Sequence, residues 1–156
     1  MRIALLNEIS QSSKNPLIYE TLREEAEAHG HQVFNLGMQS PQEEELSYLH
    51  LGVMAFLLLN SGASDFVVTG CGTGMGAMLS LNSYPGVSCG LLGEELDAFL
   101  FREINNGNAV SLPFAKSFGW GAEIKLASIF RTLFSSEGGK GYPPERAVPQ
   151  REYAER

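Results

Sequence analysis

The chain has 156 residues, of which 44% are hydrophobic, a net charge of −7 and a pI near 4.9. A chain of this length forms one domain and buries roughly two-thirds of its unfolded surface, and its apolar fraction excludes wholesale disorder. The acidic balance argues against nucleic-acid binding through phosphate neutralisation, so any anionic ligand must be held by local donors. The two cysteines, Cys71 and Cys89, make neither a disulfide scaffold nor a metal-spaced cluster, and they point to a reducing cytoplasm. Met1 is followed directly by the strand-like RIALL, which leaves no room for a signal peptide. The longest apolar run, residues 52–59, is too short to span a bilayer.

In chain order, residues 2–6 read as a buried strand, and residues 14–29 as a helix. Leu17, Ile18, Leu22 and Ala26 line one face of that helix; Glu20, Arg23, Glu24 and Glu27 line the other. Gly30 stops it, and residues 32–36 form the second strand. Pro41 stands at the first position of a long apolar helix over 42–61, with His50 as a structural histidine inside it. Residues 65–70 are the third strand and 74–83 the next helix, broken at Tyr84-Pro85-Gly86. Residues 87–92 form the fourth strand and 94–104 a helix. The fifth strand is 108–112 and the last helix 119–134, with Trp120 packing at its start. Strands alternating with helices require parallel pairing and right-handed crossovers. The expected fold is therefore a three-layer α/β/α sandwich on a five-stranded parallel, Rossmann- or flavodoxin-like sheet. Residues 1–134 make the domain. Residues 135–156 form a proline- and glycine-bearing tail, either disordered or laid across a neighbouring subunit.

The most informative stretch is FVVTGCGTGMGAMLSL, residues 66–81. A strand leads into a glycine-rich turn and then a small-residue helix, aiming backbone N–H groups and a positive helix end at one point. Cys71 lies beside that point, where a thiolate is stabilised. Thr73 either caps the helix or serves the site, and Cys89 reads as core. In an open parallel sheet, ligands bind beyond the carboxyl ends of the strands. Asn7-Glu8, Cys71-Gly72-Thr73 and Leu92-Gly93-Glu94 stand there, and Asn105 to Asn108, just before the fifth strand, are expected to join them.

Two enzyme classes fail on spacing. A cysteine phosphatase needs an arginine where Ala77 stands. A dinucleotide enzyme needs a glycine fingerprint after the first strand, and no glycine is there. A flavodoxin-like binding module without chemistry is the non-enzyme alternative.

CGTGMG, the asparagines of INNGNAV, and EGG followed by a basic residue resemble the ribose-5-phosphate isomerase B and galactose-6-phosphate isomerase family, over roughly residues 2–148. The resemblance implies a subunit that pairs into a homodimer or a dimer of dimers, with an active site shared between subunits. It also implies aldose–ketose interconversion through a cis-enediol(ate) without metal or cofactor. On it, Cys71 is the base; Thr73 and the amides of Gly72, Gly74 and Gly76 hold the enediolate; Asn105 binds substrate hydroxyls; and tail residues Lys140 and Arg146 reach the partner's site. Asn7 is a further binding candidate, and Glu8 a second proton carrier.

The chain departs from the family where histidines are expected. The usual Asp-His-Ala-Gly loop reads Asn7-Glu8-Ile9-Ser10, with Ile9 read at the place of the phosphate-linked histidine, and Ile104 replaces the ring-opening histidine. Isoleucine neither shuttles a proton nor donates to a phosphate. The substrate then lacks the phosphate, is already open-chain, or both. NEISQSSKN, GCGTGMGAM and PFAKSFGWGAE are similar to a branch that isomerises 4-deoxy-5-hexosulose uronate, for whose carboxylate Lys14, Ser10, Lys140 and Arg146 are candidates. A pentose or hexose phosphate is the runner-up.

Overall fold

A computed structural model describes residues 1–155. The five strands are β1 (Arg2–Asn7), β2 (Gln32–Asn35), β3 (Phe66–Cys71), β4 (Cys89–Leu91) and β5 (Ala109–Pro113). They form one parallel sheet in the order β2-β1-β3-β5-β4. The helices are α1 (Asn15–Glu27), α2 (Tyr48–Asn60), α3 (Met75–Asn82), α4 (Glu95–Leu100), α5 (Ala122–Phe134) and α6 (Ala147–Ala154). Strand alternation splits β1 between two cores. Ile3 and Leu5 join Ile18 and Leu22 of α1 and Ile129, Phe130 and Leu133 of α5 on one face. Ala4 and Leu6 join Leu51 and Ala55 of α2 and Leu81 of α3 on the other. The expected three layers are therefore present. Because β1 and β3 are neighbours whose crossovers run to opposite sides, their carboxyl ends make the switch point of the sheet, with Asn7 in register with Gly70.

Four elements differ from expectation. The second helix begins at Tyr48, not at residue 42. Ser47 starts it: its amide and hydroxyl lie 2.9 and 3.2 Å from His50 Nδ1, while the His50 amide donates to the Ser47 carbonyl at 3.0 Å. The residues before it form a strap over the carboxyl edge. The Ile9 amide donates to the Leu46 carbonyl at 2.8 Å, and the Leu46 amide reaches Met38 Sδ at 3.3 Å. His50 is thus an exposed capping residue. The 94–104 helix is regular only to Leu100 and widens into a π turn over Phe101–Asn105, closed by Asn106 at φ 47°. Trp120 does not pack at the start of α5; it is fully exposed.

The tail is not disordered over its described length. Ser136 Oγ and the Lys140 amide donate to the buried Glu103 carboxylate at 2.6 and 3.1 Å, and the Gly141 amide donates to the Glu103 carbonyl at 2.8 Å. This lays α6 against the π turn of its own chain. The turns that allow it are glycines: Gly138, Gly139 and Gly141 all have φ between 71° and 83°.

α2 and α3 cross closely at Gly52, where a Cβ would lie 2.7 Å from the Ser80 carbonyl oxygen and 2.8 Å from the Tyr84 ring. Gly52→Ala is therefore expected to destabilise the fold by about 1–3 kcal/mol through overpacking, despite alanine's better helix propensity. Urea denaturation followed by far-UV circular dichroism measures this, and an unchanged or raised midpoint contradicts the packing described.

Candidate active site

β3 is buried along its whole length and ends at Cys71, whose backbone is then turned by Gly72, Thr73 and Gly74 into α3. Gly74 adopts φ 77°, a conformation that L side chains avoid, and a Cβ there would lie 2.6 Å from Leu91 Cδ1. β5 fixes the turn from the side. Ser111, fully buried, donates its hydroxyl to the Gly74 carbonyl at 2.7 Å, the Phe114 amide donates to the Cys71 carbonyl at 2.9 Å, and the Ala115 amide donates to the Gly72 carbonyl at 3.0 Å.

Above this turn lies a cavity of about 490 Å³ lined by Glu8, Ile9, Ser10, Ser47, Tyr48, Cys71, Gly72, Thr73 and Gly76. Cys71 and Glu8 are 7% and 2% exposed, so both are nearly desolvated yet border the same space. Glu8 accepts from the Ser10 amide at 2.8 Å and from Ser10 Oγ at 2.5 Å, which fixes its carboxylate at the head of the loop. Thr73 Oγ1 accepts from the Met75 amide at 3.2 Å, so it caps α3 while its own proton remains free to donate. Gly76 lies in the first turn of α3, where N–H groups have no partner within the helix and can be aimed outward. A thiol, a carboxylate, a hydroxyl and amide N–H groups thus surround one cavity. This set can take a proton from carbon and hold the oxyanion that results.

Other expected site residues lie elsewhere. Asn7 points away from the cavity: strand alternation puts it on the Ile3 and Leu5 face, fully buried, with neither side-chain polar atom hydrogen-bonded. Gly74 shapes the turn without lining the cavity. Asn105 does not converge on Cys71 within one chain. It precedes β5 and so sits at the amino edge of the sheet, in a groove of about 630 Å³ with Ile104, Gln150 and Tyr153. Lys140 lies in a separate groove with Glu95, Glu103 and Tyr142, and Arg146 is exposed on the tail. Ile9, read at the place of the family's histidine, lines the cavity beside Glu8. The helix expected over 42–61 puts Ser47 and Tyr48 in its interior. The Ser-x-x-His spacing of a capping box was the signal that would have placed them at the helix start.

Cys89 is also free and 8% exposed, but burial pushes its thiol up to about 12. Among the described residues, no group of three or more His, Cys, Asp or Glu residues could hold a metal ion, and no helix is long and apolar enough to cross a membrane.

Residues 3–140 match the ribose/galactose isomerase family. A comparison with curated proteins gave no match. Among solved structures, the chain is 54% identical to a 4-deoxy-L-threo-5-hexosulose-uronate ketol-isomerase complexed with a tartrate. That match has a TM-score of 0.96 and covers 99% of this chain and 73% of the other. The chain is equally similar to a ribose-5-phosphate isomerase from Vibrio parahaemolyticus, at 54% identity, TM-score 0.97 and the same coverage. A ribose 5-phosphate isomerase from Thermotoga maritima is 25% identical, with TM-score 0.71 over 97% of both chains. On its fold, its cysteine–glycine turn and these likenesses together, the chain belongs to the ribose/galactose isomerase family and is a sugar isomerase.

Proposed function

We propose that the protein interconverts the aldehyde and ketone forms of an open-chain sugar acid of the 4-deoxy-5-hexosulose uronate kind. Two relatives of equal identity carry different substrate names, so overall similarity does not choose between them. Glu8 is the observation that supports the sugar acid. A buried carboxylate in the cavity opposes a phosphate dianion, and Ile9 beside it, read at the place of the family's histidine, offers no donor to one. Ile104 agrees, because it offers no proton for opening a furanose ring.

Mechanistically, the Cys71 thiolate removes the proton from the hydroxyl-bearing carbon beside the carbonyl. The electron pair moves onto the carbonyl oxygen, giving an enediolate that the Gly72 and Gly76 amides and the Thr73 hydroxyl stabilise. Glu8 carries the hydroxyl proton between the two oxygens, and Cys71 returns its proton to the neighbouring carbon. The two carbons exchange oxidation states, so no outside electron donor enters.

The site is completed by a second copy. Asn105, Lys140 and Arg146 lie away from the cavity within one chain, and an uncovered apolar face borders it. Tyr48, Leu49, Val53 and Leu57 of α2 and Met75 and Leu79 of α3 are 42–64% exposed. Tyr48 both belongs to this face and lines the cavity. A copy docked there buries the face and brings its own polar groups over Cys71. Two free thiols suit the reducing cytoplasm in which we place the enzyme.

Turnover of 4-deoxy-5-hexosulose uronate in deuterated water is expected to put deuterium on the carbon next to the carbonyl. Cys71→Ala should lower the rate about 10³- to 10⁴-fold and abolish the exchange. Preference for ribose 5-phosphate instead would show that Glu8 has been misread. Alkylation by iodoacetamide near pH 8, read by mass spectrometry, is expected at Cys71 ahead of Cys89, whose thiol is pushed up to about 12; the reverse order refutes this ranking. Leu49→Asp, on the exposed face of α2, is expected to yield a monomer by sedimentation, with activity lost and the far-UV spectrum retained. A fully active monomer would show that the site needs no second copy.

A further inference from the structure

Resting on the sugar-acid reading above, we propose that Lys14 binds the substrate's carboxylate and so sets the enzyme's preference for acidic over neutral sugars. Lys14 closes the 3₁₀ stretch Ile9–Lys14 that leads from Glu8 into α1. Its ammonium is half-buried and held by neutral groups. Nζ donates to Gln11 Oε1 at 2.7 Å and to the Phe114 carbonyl at 2.6 Å, and it stands 4.7 Å from the centroid of the Phe118 ring. Among the described residues, no carboxylate lies within ion-pair distance of it, whereas Arg2, Arg23 and Arg131 are each paired with an acid. In a chain of net charge −7, a partly desolvated cation with only neutral acceptors and a third N–H to spare is a place for an anion.

That place adjoins the chemistry. The same Phe114 whose carbonyl accepts from Lys14 donates its amide to the Cys71 carbonyl at 2.9 Å. Gln11 Nε2 lies 3.9 Å from the position a Cβ on Gly72 would take, and it donates to Ser10 Oγ at 3.2 Å. Glu8, Ser10, Gln11 and Lys14 therefore form one hydrogen-bonded row running from the cavity along the outer edge of the Cys71 turn. A substrate with its carbonyl end at Cys71 and an acid at the other end spans this row, keeping its carboxylate away from Glu8 and placing it at the ammonium. The other candidates do not compete within this chain. Ser10 spends its proton on Glu8, and Lys140 and Arg146 belong neither to the cavity lining nor to the row that ends at Lys14. One ammonium with one free N–H suits a singly charged carboxylate better than a phosphate dianion, which takes several donors.

The test compares kcat/KM for the keto-uronate with kcat/KM for its counterpart in which the carboxylate is reduced to an alcohol. Wild type, Lys14→Met, Lys14→Gln and Lys14→Arg are measured. Methionine keeps an apolar stem against Phe118, and glutamine serves if methionine impairs folding. In both neutral variants the acid-to-neutral ratio is expected to fall roughly 10- to 100-fold, carried mainly by KM for the acid, and Lys14→Arg is expected to recover much of it. An unchanged ratio, or a loss carried wholly by kcat, overturns the assignment of Lys14 while leaving the isomerase reading intact. Failure of the wild type to turn over either compound overturns the sugar-acid reading and this inference with it.

Discussion

The grip of β5 on the turn after β3 is the constraint on which the site depends. A thiol at a strand end has no chemical direction unless the backbone around it is fixed. Here Ser111, Phe114 and Ala115 hold the carbonyls of Gly74, Cys71 and Gly72 from one side. Those bonds turn the three carbonyls towards β5, and the amide and hydroxyl donors are left for the cavity. The left-handed Gly74 makes that geometry accessible, and the packing of Leu91 and Leu112 against it leaves no room for a side chain. The placement of Cys71 is thus a property of two adjacent strands, and the buried hydroxyl of Ser111 contributes to it without lining the cavity.

Much of the fold was legible because its signals are local. Buried parallel strands read as short apolar runs, and the Cys-Gly-Thr-Gly turn announced a strand-to-helix corner by its composition alone. The strap before α2 was not legible. Pro41 and the acidic run after it look like a helix start, and only the tertiary bonds from Ile9 and Met38 show that the chain is stretched over the carboxyl edge instead. The docking of the tail on its own chain was not legible for a similar reason. Proline and glycine forbid a long helix, but three glycines with positive φ and the buried Glu103 let a short helix dock on the π turn.

Among the residues that line the cavity, Cys71, Thr73 and Glu8 could be found from their places after β3 and β1. Asn7 could not be judged without knowing which face of β1 it occupies; its neighbour Leu6 belongs to the α2 layer, and Asn7 therefore to the α1 layer. Asn105 shows a different limit. Sequence position before β5 puts it at the opposite edge of the sheet, and only an arrangement of two chains could reconcile that edge with Cys71. The division of labour that follows is simple. In the enzyme proposed above, one chain supplies the groups that move protons, and the groups that recognise the rest of the sugar are spread along the first loop and onto a neighbouring copy.

Trp120 is the sole tryptophan of the chain and stands wholly in water between two glycines. Its indole is therefore already solvated before the protein unfolds, and intrinsic fluorescence is a poor witness to denaturation here. The same emission is well suited to report what approaches the loop leading into α5, since nothing in the folded chain shields it. In this protein the natural fluorophore is an antenna on the outside, blind to the core and alert to visitors.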